Sequence, residues 1–299
     1  MELISIVIPT KNRLESLKKA LSSVYEQTYK NLEIIIIDDG STDETPEFLI
    51  KEQNLGKITF YRNEVSVGGG EARNIGIKQA KGDFIAFLDD DDVWFPTKLE
   101  KQLPLFVNPL VGIVYSGLEL YFTDFNIRYE SLPSIEGYIY NEMLIENRIG
   151  GTVSIILRAE IAKKYLFDSS MPARQDYDLW LRICKNWNVR VVREPLVLVY
   201  AGNTKRITSD VSNYEIAIEK INSKYYEEIN TLHEKNKKRR RAEQTFFLGS
   251  QSIKANNIKS AKKYYFRSLL INFKLKTLIA FLATFFGIKA VLLIRKYKR

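Results

Sequence analysis

The chain has 299 residues, 45% apolar and 27% charged, which is enough to bury a sizeable core and argues for a globular protein. One cysteine, Cys184, excludes an internal disulfide and a cysteine-based zinc site, and one histidine, His233, in a basic polar stretch, argues against serine–histidine or cysteine–histidine catalysis, leaving acid–base work to carboxylates. The net charge of +9 is uneven: residues 205–299 hold 22 basic and 7 acidic residues, a balance of +15, against 23 and 29, a balance of −6, in residues 1–204.

Ile4-Ser5-Ile6-Val7-Ile8 reads as a buried strand stopped by Pro9, which cannot continue a ladder. Leu14, Leu17, Leu21 and Val24 recur at helical spacing and predict a helix over 13–26. Leu32 to Ile37 is too continuously apolar for a wet face, which indicates a parallel sheet covered on both sides. Thr42 or Asp43 can cap the helix that follows. A third strand is predicted over Ile58–Tyr61. Gly68-Gly69-Gly70 then opens a loop into a helix through Glu71–Gly76, with Gly82 as its expected end. The next strand, Phe84–Leu88, runs into Asp89-Asp90-Asp91-Asp92. This β-α-β-α-β-α-β order implies an α/β fold with an open, mostly parallel sheet and helices on both faces.

The second half is less regular. Val111–Leu120 and Thr152–Leu157 read as strands, Asp176 to Asn186 as a helix, and Val189–Val192 with Leu196–Tyr200 as a strand pair broken at Pro195. From about Thr208 the pattern turns to long helices. Ala242–Ala255 and Ile258–Ile271 suggest a helical hairpin, preceded by the basic run Lys237–Arg241. Two regions are therefore expected: 1–207, a catalytic α/β domain, and 208–299, an all-helical basic C-terminal region.

Four carboxylates in a row repel one another unless a positive group sits among them. At the carboxyl edge of an open sheet, where such folds bind ligands, they suit Mg or Mn bridging to a phosphate; the alternative is a solvated acidic turn before a helix. Pro9-Thr10-Lys11-Asn12-Arg13, Asp38-Asp39 and Arg73-Asn74 are expected at the same edge. The chain lacks G-x-G-x-x-G after its first strand and lacks a P-loop, so a nucleotide would be held by side chains and metal rather than by a glycine cradle.

At these residues the chain resembles the family 2 glycosyltransferases of the GT-A fold. The resemblance rests on Ser5–Thr10 with Asn12-Arg13, Ile37–Asp43, Ala72–Gly76, Phe87–Asp92 and Gln175–Arg182, in the family's order. It implies an inverting transferase that moves a sugar from a nucleotide-sugar, expected to be UDP-linked, with Mn or Mg as cofactor. Thr10, Asn12, Arg13, Asp38, Asp39 and Arg73 would surround the nucleotide. Asp89 and Asp90 would serve the ribose and donor sugar, and Asp91, with Asp89, the metal on the diphosphate. Asp92 would lie just outside the group. Asp176 matches the position of the catalytic base, while Gln175 stands where the family usually has Glu. Asp178 is the competing carboxylate. Asn203, Lys205 and Arg206 stand where some relatives place a histidine. Asp38, Asn74 and Arg182 also have purely structural readings, and Trp94 and Trp180 read either as sugar platforms or as core. A non-catalytic sugar-nucleotide or membrane-surface binding protein on the same fold is the alternative function.

Thr277–Ile294 is apolar except for Lys289 and is flanked by basic residues. At about 1.5 Å per residue it spans about 27 Å, just short of a hydrocarbon core of about 30 Å. An interfacial helix on anionic lipid is expected ahead of a single span or a helix buried on the domain. The single cysteine fits a reducing compartment, and Met1-Glu2-Leu3-Ile4 has no basic run before its apolar residues, so no secretory signal is expected. The expected place is therefore the cytoplasmic side of the cell membrane, with a saccharide or lipid-linked acceptor. Lys237–Arg241 lies in no nucleic-acid recognition module and is read as a solvated or lipid-facing segment, so a nucleic-acid partner is not expected.

Overall fold

The computed structural model describes residues 2–201 and 211–297. Strands β1 (Ile4–Thr10), β2 (Leu32–Asp38), β3 (Thr59–Arg62) and β4 (Phe84–Phe87) pair in parallel in the order β3-β2-β1-β4. Helices α1 (Leu14–Tyr25), α2 (Thr45–Asn54) and α3 (Gly69–Gln79) make the crossovers. Alternate residues of one strand feed two cores. Val7, Ile35, Ile37 and Ile85 face the side covered by α3, and Ile6, Ile8, Ile34 and Ile36 face the side covered by α1. Covering both faces is what the unbroken apolar runs require.

The sheet continues through strands of mixed direction. A short β5 (Asp92–Trp94) and α4 (Lys98–Gln102) lead to β6 (Val111–Phe122) and β7 (Ile127–Ser131); α5 (Tyr140–Ile145), β8 (Ile155–Arg158), α6 (Ala159–Tyr165), α7 (Gln175–Cys184) and β9 (Asn188–Ala201) follow. β8 lies antiparallel between β4 and β6, and β9 runs parallel to β6 and antiparallel to β5. β6 therefore points the same way as β4, and its carboxyl half reaches toward the ligand edge. The expected open sheet with helices on both faces is present, and every antiparallel pair involves a strand after β4.

Two expectations need correction, and the choice left open for Trp94 and Trp180 falls to the core. Pro195 does not break a strand pair: β9 is continuous, and the register with β6 slips around Gly117 and Pro195, so the proline occupies a bulge where no ladder donor is needed. Gly82 does not end α3, which stops at Gln79; a Cβ there would lie 2.6 Å from the Leu3 carbonyl, so glycine permits close backbone approach. Trp94 and Trp180 are core residues, their indole N–H groups donating to the carbonyls of Val153 and Gly150 at 3.0 Å each.

The C-terminal region is helical: α8 (Val211–Lys224), α9 (Tyr226–Asn230), α10 (Glu234–Lys254), α11 (Ile258–Ile271), α12 (Leu275–Ala283) and α13 (Ile288–Tyr297). The boundary expected at 207/208 lies outside the described residues. The helices share the α/β core: Ala217, Ile221, Tyr225 and Leu232 are buried in the cluster that holds Tyr177 and Leu181. The basic run is part of α10 and is not uniformly solvated. Arg240 is buried, donating to the Leu144 carbonyl and, at 2.7 Å, to Asn222 Oδ1. The apolar tail is broken at Gly287 (φ +96°), and no helix among the described residues is long and apolar enough to cross a membrane.

Candidate active site

The carboxyl ends of β1, β2 and β4 bring the acidic run together with two arginines. Arg13, just past β1, donates through Nη1 to Asp90 Oδ1 at 2.9 Å and to Asp91 Oδ2 at 3.2 Å. Thr10 Oγ1 donates to the other Asp90 oxygen at 2.8 Å. Arg73, on α3, pairs with Asp89 through Nη2 and donates through Nη1 to its own helix's Gly69 carbonyl at 3.1 Å. The two guanidinium groups are the positive charge that the run requires. Burial lowers the Arg13 pKa, but Asp90 and Asp91 outweigh it and raise the value overall. Burial pushes the Asp90 carboxyl up, against Arg13 and Thr10.

Asp92 stands apart from the other three. It begins β5, is buried, and accepts from the Tyr200 N–H at 3.3 Å. The run thus divides into Asp89–Asp91, facing arginines, and Asp92, held in the sheet.

At the end of β2, Asp39 accepts four hydrogen bonds at 2.6–2.9 Å, from Asn63 Nδ2, Ser66 Oγ and the N–H groups of Val67 and Gly68. Burial opposes its ionisation, yet these donors hold its pKa below the ordinary carboxylate value. Asp39 therefore ties the loop before α3 to the sheet edge. Asp38 is fully buried; Oδ1 accepts from Ser41 N at 2.9 Å and Oδ2 lies 3.5 Å from Arg62 Nε. It shapes the turn from beneath through Oδ1, while Oδ2 accepts no hydrogen bond among the described residues. Asn12, at φ +53°, accepts from Thr42 N at 2.7 Å through Oδ1 and donates its own N–H to Ser41 Oγ at 2.9 Å, clasping the loops after β1 and β2. Asn74 exchanges two hydrogen bonds with the backbone of Phe167 at 2.7 and 3.0 Å.

The two candidate bases separate cleanly. Asp178 is fully buried and bonded to Arg182 Nε at 3.0 Å, Lys224 Nζ at 2.8 Å and Tyr225 Oη at 3.0 Å. Its acceptor positions are spent on tying α7 to α8, and Arg182 also holds the carbonyls of Tyr165 and Leu166. Asp176 accepts only the neighbouring Tyr177 N–H, at 2.7 Å, among the described hydrogen bonds. Burial raises its pKa, the Tyr177 N–H, Arg174 and Arg73 oppose that, and Asp89 adds to it. That coupling puts Asp176 within electrostatic reach of the Arg73–Asp89 pair.

Gln175 contributes position. Its amide donates to the Met171 carbonyl at 2.8 Å and lies over Gly70, where an added Cβ would come within 2.7 Å of Oε1. The sequence reading missed the lock on the other side, Arg174. It takes φ +57° at the start of α7, and its guanidinium lies 4.4 Å from the ring centres of both Tyr177 and Phe247. No periodicity marks a residue whose partner is on a distant C-terminal helix. Asn203, Lys205 and Arg206 lie outside the described residues.

The donor set fits a hard divalent ion. Mg²⁺ and Mn²⁺ are held by one or two carboxylates with substrate phosphates completing the shell, and Asp89 and Asp91 are two such groups at a ligand edge. Among the described residues no three His, Cys, Asp or Glu side chains form a metal cage of their own.

Residues 5–166 match the family described as glycosyl transferase family 2. The chain is 31% identical over 235 residues to an uncharacterized glycosyltransferase of Haemophilus influenzae, covering 76% of this chain and 78% of that one. It is 32% identical over 190 residues to the Escherichia coli UDP-Glc:alpha-D-GlcNAc-diphosphoundecaprenol beta-1,3-glucosyltransferase WfgD, covering 64% and 73%. Among solved structures, TarS 1–349 of S. aureus in complex with UDP-GlcNAc superposes with a TM-score of 0.65 at 18% identity, over 100% of this chain and 93% of that one. The mannosyltransferase PcManGT of Pyrobaculum calidifontis, in complex with GDP-Man and Mn²⁺, gives 0.57 at 18% identity, over 97% and 84%. The fold is GT-A, and the chain belongs to glycosyl transferase family 2 as a glycosyltransferase that uses nucleotide-sugars.

Proposed function

We propose that the protein is an inverting transferase that moves a sugar from a UDP-sugar to a hydroxyl of a lipid-linked or growing saccharide, at the cytoplasmic face of the membrane. The observation that carries this reading is the placement of Arg13 and Arg73 on Asp89–Asp91, with Asp176 coupled to the same group. The names of WfgD and of the TarS complex support a UDP-linked donor, and the WfgD name supports a diphosphoundecaprenol-linked acceptor.

Asp89 and Asp91 would hold Mn or Mg, which when bound neutralises charge building on the departing diphosphate. Arg13 and Arg73 would move part of their contact from the carboxylates to phosphate oxygens, and Arg73 can do so through a forked contact. Thr10 and Asp90 form one hydrogen-bonded unit that gives the nucleotide a fixed wall. Asp39 and Asn12 position the loops on either side. Asp176 would take the proton from the acceptor hydroxyl on the face of the sugar opposite the diphosphate, so that displacement inverts the anomeric carbon.

Thermal shift tests the donor half. UDP with Mn should raise the melting temperature of the wild type, and Asp91→Ala should lose the Mn-dependent part. An equal Mn-dependent shift in Asp91→Ala would remove Asp91 from the metal.

A further inference from the structure

The C-terminal helices present one apolar surface that the core does not use. On α11, Ala261, Tyr264, Tyr265 and Ser268 are buried, while Lys259, Lys263, Phe266, Arg267 and Leu270 are exposed. The exposed set recurs at helical spacing, so it forms one face. Phe266 meets Phe281 of α12 at 5.5 Å between ring centres, and Phe281 meets Phe285 at 5.4 Å. Lys262 Nζ sits 3.7 Å from the Phe285 ring centre. Beside it, Phe286 is 83% exposed and Leu282 50%. The turn at Thr284–Gly287 thus carries two outward phenyl rings within a contiguous aromatic strip edged by lysine and arginine.

This strip is anchored at the ligand end of the sheet. Asp92, last of the acidic run, pairs with Val199; Val199 pairs with Leu120, and Leu120 with Tyr129 of β7. Leu120, Phe122 and Ala201 form one buried cluster with Val291 and Leu292 of α13. Arg295 of α13 donates to Tyr265 at 2.8 Å and to Ser250 at 2.9 Å, fixing α13 to α10 and α11. The tail is thus partly core, through α13, and partly an outward face, through α11, α12 and the turn between α12 and α13.

We propose that this aromatic, lysine-edged face is the surface by which the enzyme rests on an anionic bilayer, bringing the donor site close to lipid headgroups. The proposal deepens the membrane reading above and rests on it. Charge complementarity selects the occupant: no acidic residue follows Glu243 in the sequence, and phenyl rings beside basic side chains on an amphipathic helical face match apolar burial plus attraction to anionic lipid. The geometry also suits an acceptor carried on lipid, since a site near the membrane meets a headgroup-level saccharide without extracting it.

Vesicle flotation with the full chain tests this. The wild type should float with vesicles of equal phosphatidylcholine and phosphatidylglycerol, and far less with phosphatidylcholine alone. Phe285→Ser with Phe286→Ser should lower the bound fraction about tenfold, and Lys263→Glu with Arg267→Glu should lower it on the anionic vesicles only. UDP binding in solution with Mn should be unchanged in both variants. Wild-type flotation by the Phe285/Phe286 variant, or failure of the wild type to float, overturns the proposal. So does a wild-type dimer that this variant makes monomeric with flotation unaffected, since a second copy would then be the occupant. Loss of UDP binding by the wild type would instead count against the donor reading, leaving the surface to be judged by flotation.

Discussion

Arg174 and Phe247 stack across the boundary between the α/β body and the C-terminal helices, with the guanidinium 4.4 Å from the ring centre. Tyr177 closes the other side of the same guanidinium at 4.4 Å, and Tyr214 meets Phe247 edge-on at 5.3 Å. Arg174 immediately precedes Gln175-Asp176, so the C-terminal region holds the segment that carries the proposed base. Arg174 Nη1 is buried with no hydrogen-bond partner among the described residues, so the two rings and the charge of Asp176 are what attract that side chain. Phe247→Leu, which keeps the bulk and removes the ring, should lower kcat about tenfold or more with little change in the KM for donor. Phe247→Tyr should restore most of it. Ile253→Ala, a buried truncation on the same helix that costs about 2–5 kcal/mol of stability, should leave kcat near the wild-type value. Steady-state kinetics on the four proteins checks this.

Asp39 collects four donors, two of them backbone N–H groups. Asp39→Asn should destabilise the protein by about 2 kcal/mol at neutral pH, because an amide turns a donor toward groups that need an acceptor. The Asp39 pKa is lowered in the folded state, so its contribution is present above the unfolded value and disappears as pH falls through the folded one. Denaturation curves for wild type and variant should therefore converge toward acid and stay apart at neutral pH.

Gly70→Ala places a Cβ within 2.7–2.9 Å of the Gln175 amide, which is itself tied to Met171. The amide must move, and it is the neighbour of Asp176. We expect reduced kcat, with UDP affinity close to wild type, since the three atoms nearest the added Cβ all belong to the Gln175 amide. Isothermal titration with UDP and Mn, beside a transfer assay, separates the two effects.

The first half of the fold was legible because strands buried on both faces leave unbroken apolar runs and their loops carry turn residues. The acidic run was legible as a candidate site for the same reason, as charge placed directly after a buried strand. Its internal division was not: whether Asp92 faces ligand or β9 depends on a pairing with Val199, far away in the sequence. Asp176 and Asp178 likewise look alike in sequence, and only the arrival of Lys224 at the end of α8 and of Tyr225 just after it commits Asp178 to structure. Arg240 gave the opposite error. A run of five basic residues reads as solvated, yet a helix turns one residue in three or four inward, and Arg240 is the one that meets Leu144 and Asn222. The tail hid its break in a single residue, Gly287, within a stretch otherwise apolar enough to suggest one helix.

The Asp176 carboxyl is raised above its ordinary value by burial and by Asp89. A base works ionised, so transfer should fall as pH drops through that raised value, an acid limb above the usual carboxylate range of about 3.9.

The most direct measurement is transfer by Asp176→Asn set beside its Mn-dependent UDP binding. The substitution keeps size and hydrogen bonding and removes the proton acceptor. The account predicts a loss of at least about a hundredfold in kcat, with UDP binding within about twofold of wild type and the acid limb gone from any residual activity. Full transfer by Asp176→Asn, with its acid limb intact, would contradict it.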